Sequence, residues 1–460
     1  MRDLPVDERR PGVVRALGRL DLALLCIVAV VNINGVPPTA VYGLSSVGLW
    51  ILAFLAFFVP EAVAVLEFSR RHPGEGGIYL WTRRSFGNGH GFLAGWCYWT
   101  CNLFYVPVML LYMAGIVAYA GGPQTAGLVE SKIFVASVSL GWLVFMAALN
   151  IRGLGVGKWI QNIGGLSAAL SGGLVIMAAA YAWWHGTAQR PGVASGAGWE
   201  MLTGFSVMCN AFVGVELAST MGDEIRDPAR DLKPAILIAG VVSLASYALV
   251  TWAILLLVPI GTIGVIQGIM QAVSVGAQGA GVGWLVAPVA VVMGLAIGGS
   301  SSAWFSGSAR IPFVAGIDSA LPAVLGKVHP TWRTPHVALG LCALLAGAFT
   351  VISLTGSTVA EAYQVLLKAS VALQMIPFLY LFLGLWRLKD ASLPARSWGL
   401  VGFVTAAAVV VLSFVPTADV ANVAVFELKM AVGVAFPIAT GWLLYRRGGR
   451  RAPIESSGRH

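Results

Sequence analysis

Runs of about twenty predominantly apolar residues recur along this chain so regularly that little sequence is left between them. An unpaired backbone group in hydrocarbon costs several kcal/mol, and a helix of about 20 residues crosses a bilayer with all such groups paired internally. The apolar spans lie near 21–43, 47–69, 91–118, 132–150, 156–183, 201–221, 234–258, 283–309, 336–354, 360–386, 398–415 and 426–445. The expectation is an all-α integral membrane protein with 12 transmembrane helices. With 58% of its 460 residues hydrophobic and only 11% charged, the chain does not have the composition of a soluble protein.

The placement of charge supports the same reading. If the N-terminus is cytoplasmic, 25 of the 29 Lys and Arg fall on the inside, against Lys132, Arg190 and Lys429 outside and Lys368 within the tenth span. The positive-inside rule requires such a bias, and an odd number of spans would break the alternation that produces it. Both termini are therefore expected in the cytoplasm, on a multi-pass protein of the cell membrane. The net charge of +9 follows the bilayer as partner, not nucleic acid. Arg2, Arg9, Arg10, Arg15 and Arg19 run into the first span without a small-residue cleavage site, so no cleaved signal peptide is expected. The five cysteines all fall in apolar segments, and the odd count argues against a disulfide framework. Cys97 and Cys101, one turn apart, read as packing residues, and no metal site or cofactor is expected. The six histidines lie near span ends or in loops, which with the lack of a paired nucleophile and base argues against an enzyme.

Two spans carry interruptions. The first contains Asn32-Ile33-Asn34-Gly35-Val36-Pro37-Pro38, where prolines remove backbone donors and glycine permits non-helical torsions. The sixth contains Asn210-Ala211-Phe212-Val213-Gly214-Val215-Glu216, a glycine beside a carboxylate at membrane depth. Both helices are expected to be broken mid-membrane. Breaks in helices 1 and 6 divide the core into corresponding halves, helices 1–5 and 6–10, with the second half inserted upside down and substrate held between the discontinuous helices. The organisation that follows is a cytoplasmic segment 1–20, a transporter core 21–390, peripheral helices 391–445 and a cytoplasmic tail 446–460.

Several motifs resemble a known family. Pro60-Glu61, Glu67 and Pro73-Gly74-Glu75-Gly76-Gly77-Ile78-Tyr79, followed by Phe86-Gly87, resemble the end of helix two and start of helix three in amino acid permeases of the amino acid/polyamine/organocation superfamily. The run Ala211 to Ser219, with Asp223-Glu224 and Asp227-Pro228-Ala229-Arg230 after it, is similar to the helix-six signature of that group. Bacterial arginine/agmatine antiporters are the nearest relatives by this resemblance, which covers roughly residues 20–390.

The resemblance implies a LeuT-type five-plus-five inverted repeat and a secondary transporter working by alternating access. It places Ile33, Asn34, Gly35 and Val36 of the first break and Asn210, Phe212, Val213, Gly214 and Glu216 of the sixth span around the substrate. Asn102 matches a helix-three asparagine, Trp304 a gating tryptophan on helix eight, and Ser370 more loosely a helix-ten serine. Three departures stand out: Asn210 replaces an aromatic lid, Ile33-Asn34-Gly35 replaces Gly-Ser-Gly, and Ala168 occupies the position of a helix-five lysine that stands in for a sodium ion in several relatives.

An α-amino acid must lose water from both its charged groups on entering such a site. Free N–H groups near Asn34 to Val36, at the positive end of a half-helix, suit the carboxylate, while free carbonyls near Ile33 and Phe212 suit the ammonium. Glu216 is expected to act as a protonation switch or substrate contact, or else to pin helix six to a neighbour. Lys368 reads either as a partner for Glu216 or an acidic substrate group, or as a side chain snorkelling to the outer interface. Glu61 and Glu67 read as structural. Asp223, Glu224, Arg226, Asp227 and Arg230 form an inner loop whose ion pairs stabilise one state or merely solvate a turn. Ser300, Ser301 and Ser302 read as packing residues ahead of sodium ligands. The function expected is an amino acid permease, as proton symporter or exchanger, with a polyamine or organic cation carrier and a sodium-coupled symporter as alternatives.

Overall fold

The computed structural model describes residues 22, 26–27, 29–31, 33–71, 77–192, 199–216, 228–310, 312, 321–355, 358–416, 420 and 422–448. Regular structure among them is helical throughout. Nine of the described helices are long and apolar enough to cross a membrane: Ser45–Arg71, Asn88–Gly121, Lys132–Arg152, Arg230–Leu257, Gly283–Ser308, His336–Leu354, Val359–Arg387, Leu393–Ser413 and Val423–Arg447. They coincide with the second to fourth and seventh to twelfth apolar spans. The fifth span is one continuous helix, Leu154–Trp184.

The first span is interrupted, for a reason visible in its hydrogen bonds. In an α-helix the carbonyl of residue i accepts from the N–H of residue i+4. For Ile33 and Asn34 those positions are Pro37 and Pro38, which have no N–H. The Ile33 carbonyl accepts instead from Val36 N at 3.1 Å, beside a 3-10 turn over Ile33–Gly35. The Asn34 carbonyl accepts from the Tyr363 hydroxyl of the tenth span at 3.2 Å. Helix resumes as Pro37–Ala40, with proline in the first turn, where a missing N–H costs least. Gly35 contributes less than its sequence position implied. Its backbone lies outside the left-handed region, and an added Cβ would meet only Ala211 Cβ at 3.6 Å and Val207 Cγ1 at 3.7 Å.

The sixth span breaks by a different device. Helix Trp199–Ala211 ends in a turn over residues 212–216. Phe212 N and Val213 N fall back on Cys209 O and Asn210 O, each at 3.2 Å. Gly214 adopts φ +147°, and a Cβ there would lie 2.8 Å from the Ala29 carbonyl oxygen and 3.1 Å from Val30 N. Glycine is required on both counts, because the sixth-span backbone lies directly against that of the first. One side chain joins the two breaks: the Tyr247 hydroxyl is shared between the Val30 carbonyl and the Ala211 carbonyl, the latter at 2.7 Å.

Two short helices, Gly77–Phe86 and Gly268–Gly279, lie outside the apolar spans of the sequence reading. At 1.5 Å per residue neither is long enough to cross a bilayer. In the second span Pro60 offers no N–H to Ala56, and the ladder widens into a π turn over Phe54–Phe58 just before Glu61.

Candidate functional site

A cavity opens beside the two breaks. Ala29 lines it from the first span, Cys101, Asn102 and Tyr105 from the third, and Asn210, Ala211 and Val213 from the sixth. Trp304 of the eighth span and Ser370 and Gln374 of the tenth complete the lining. Among the described residues none of these side chains is acidic or basic. Five residues named from the sequence therefore meet here: Asn102, Asn210, Val213, Trp304 and Ser370.

The remaining candidates lie outside this lining. Ile33, Asn34, Gly35 and Val36 form the turn itself, with Asn34, Gly35 and Val36 buried. Phe212 points away into an aromatic nest, its ring 5.9 Å from Trp50, 5.7 Å from Phe54, 5.8 Å from Phe58 and 5.3 Å from Tyr247. Gly214 seals the turn against Ala29. Glu216, 1% exposed, sits behind it, with Oε1 accepting from the Tyr98 hydroxyl at 3.0 Å and Oε2 from Gly214 N at 2.8 Å. Glu61 of the second span, also fully buried, brings its carboxyl within hydrogen-bonding reach of Glu216. Two ionised carboxylates offer each other only acceptors, so this contact is attractive only with a proton between them.

Five lining residues were not named as site residues from the sequence: Ala29, Cys101, Tyr105, Ala211 and Gln374. Helical spacing carried the signal, since Gln374 follows Ser370 by one turn and Tyr105 follows Cys101 by one turn. The Tyr105 ring meets Trp304 edge to face, 5.7 Å between centroids. The Cys101 thiol is shared between the Tyr98 carbonyl at 3.0 Å and Gln374 Oε1. Asn102 Nδ2 donates to the Tyr98 carbonyl at 2.8 Å and to Cys101 Sγ at 3.5 Å. The outer ends of both amides, Asn102 Oδ1 and Gln374 Nε2, are buried without a hydrogen-bond partner. Ser370 spends its hydroxyl proton on Leu367 O at 2.7 Å.

Lys368 is neither at the cavity nor at a solvent interface. Its side chain is 1% exposed, its ammonium donates to the Val415 carbonyl just past the eleventh span, and it lies 5.6 Å from the Phe426 ring centroid. A cation at this end of a helix complements the negative pole of its dipole. Two turns away, Glu361 pairs with Lys429 at 3.3 Å, tying the tenth span to the twelfth. Glu67 pairs with Arg70 at 3.2 Å and Arg71 at 3.0 Å. Ser302 accepts from Asn150 Nδ2 at 2.8 Å, and Ser301 donates to Gly298 O at 2.8 Å. Both hydroxyls thus serve the packing of the eighth span. Asn32, the cluster Asp223 to Asp227, and Pro73 to Gly76 lie outside the described residues, as does the side chain of Ala168.

A family model described as amino acid permease matches residues 17–436. An uncharacterized transporter of Legionella pneumophila is 24% identical over 460 aligned positions, 94% of this chain and 97% of the relative. A probable agmatine/putrescine antiporter of Lactococcus lactis is 24% identical over 317, covering 66% of this chain and 65% of the relative. A branched-chain amino acid permease of Bacillus subtilis is 24% identical over 358, covering 70% and 72%.

Proposed function

This chain belongs to the amino acid permease family, and on that premise we propose that it carries an amino acid across the cytoplasmic membrane by alternating access. The reading takes twelve spans with both ends inside, arranged as two five-helix halves of opposite orientation, the eleventh and twelfth spans standing outside. The single observation that carries it is the pair of interrupted helices held against each other at Gly214 and Tyr247, with a cavity alongside. Unwound backbone at membrane depth is tolerated only where protein or a cavity surrounds it, and there it supplies polar groups for a zwitterion. Trp304, braced by Tyr105, forms one wall of that cavity and serves as its gate.

Coupling in this reading runs through the carboxyl pair behind the sixth-span turn. With one proton between them, Glu61 and Glu216 attract; with none, they repel across a buried gap. A change in proton occupancy there pushes on the turn that closes the cavity, because Glu216 also holds Gly214 N. Proton symport and proton-linked exchange both use this device.

The names of two relatives point in different directions, one to agmatine and putrescine and one to branched-chain amino acids. A diamine needs counter-charges, and the described lining of this cavity holds none, which favours the amino acid. Counterflow in proteoliposomes, with a panel of twenty amino acids and several amines, tests the choice. Exchange of at least one α-amino acid is expected, and exchange of putrescine alone would replace the reading with the amine carrier.

A further inference from the structure

One wall of the cavity is built as a polar strip. Gln374, Cys101 and Asn102 lie side by side, 5%, 2% and 2% exposed, on the tenth and third spans. Their inner ends satisfy one another: Cys101 Sγ donates to Gln374 Oε1, and Asn102 Nδ2 reaches Cys101 Sγ and the Tyr98 carbonyl. In this arrangement Gln374 Oε1 faces the thiol, and Asn102 Nδ2 is held by the Tyr98 carbonyl. One donor, Gln374 Nε2, and one acceptor, Asn102 Oδ1, are left buried and unpartnered on two residues that line the cavity. A buried polar atom left without a partner is destabilising, so a ligand that satisfies both is favoured over one that satisfies neither.

We propose that Gln374 and Asn102 select a substrate whose side chain is neutral and both donates and accepts a hydrogen bond, namely an amino acid with a hydroxyl or carboxamide side chain. This rests on the amino acid reading above. A hydroxyl or a carboxamide accepts from Gln374 Nε2 and donates to Asn102 Oδ1. An aliphatic side chain of the same volume leaves both atoms orphaned. An ammonium or guanidinium group cannot accept from Gln374 and meets no counter-charge in the described lining. Rejection of an analogue that lacks the hydrogen-bonding group is characteristic of sites built this way, whereas a purely apolar pocket discriminates poorly between isosteres.

The test uses the full chain in proteoliposomes, loaded with whichever amino acid gives the fastest counterflow, and compares near-isosteric competitors: threonine against valine, and asparagine against leucine. The wild type is expected to prefer the polar member of each pair by about tenfold or more, the ratio that about 1.4 kcal/mol produces. Gln374→Leu is expected to bring both ratios to about one while valine still competes. Gln374→Glu keeps the shape and the Cys101 contact but replaces the donor with an acceptor. It is expected to lose threonine preference and to admit lysine or putrescine. Wild-type preference for valine or leucine, or ratios unchanged in both variants, would overturn the assignment. Failure of the underlying reading looks different, because the wild type would then exchange no amino acid at all.

Discussion

The two helix breaks meet in space but are made differently. The first is written in prolines: Pro37 and Pro38 withhold donors from Ile33 and Asn34, and a neighbouring hydroxyl and a 3-10 turn take up the orphaned carbonyls. Its glycine has room to spare, since nothing lies closer than 3.6 Å to a Cβ at position 35. The sixth-span break depends on contact. Gly214 is held at φ +147° against the Ala29 carbonyl, and the Glu216 carboxylate folds back onto its N–H. A break defined by missing donors tolerates substitution nearby. One defined by backbone-to-backbone approach does not, and only the latter carries an ionisable group.

Substitutions that pit one break against the other should separate these roles, beginning with the most damaging. Gly214→Ala should abolish uptake, because a Cβ 2.8 Å from a carbonyl oxygen forces the two breaks apart and the torsion itself is strained. Retention of more than half the wild-type rate in vesicles would contradict the contact account. Glu216→Gln keeps the shape and removes the titratable group. It should cut transport strongly and flatten its pH dependence when uptake is followed from about pH 5 to 8. Uptake that kept its pH dependence would move coupling elsewhere.

Tyr247→Phe removes the hydroxyl that both breaks share. Leaving two buried carbonyls unsatisfied should lower the melting temperature measurably and reduce uptake several-fold, at about 1–3 kcal/mol for each orphan. Thermal unfolding in detergent and initial uptake rates read the two effects separately. At the mild end, Gly35→Ala should leave uptake within about twofold of wild type, since Gly-to-Ala changes at compatible backbone positions alter stability by less than about 1 kcal/mol. Inactivity of that variant would show that the first break relies on its glycine as heavily as the sixth does.

Much of this architecture was legible beforehand because a bilayer imposes a simple code. Apolar length reveals a span and proline reveals a missing donor, so the spans and both interruptions were readable from residues 32–38 and 210–216 alone. Five lining residues were also found, through the resemblance. Gln374, Cys101 and Tyr105 were missed because they carry no distinctive motif, and which face of an apolar helix turns toward a cavity depends on its neighbours. Lys368 was misjudged for a related reason: its partner, the Val415 carbonyl, belongs to a helix end that the tenth span does not encode.

The amino-acid sequence on its own determined that this is a multi-span membrane protein with two interrupted helices, since hydrophobic length and absent N–H groups are properties of a segment regardless of its surroundings. Tertiary structure alone decided that Glu61 lies against Glu216, that Tyr247 bridges the breaks, and that two amides with an unpartnered donor and acceptor line one cavity. Those are relations between residues far apart along the chain, and they exist only once helix packing has brought the segments together.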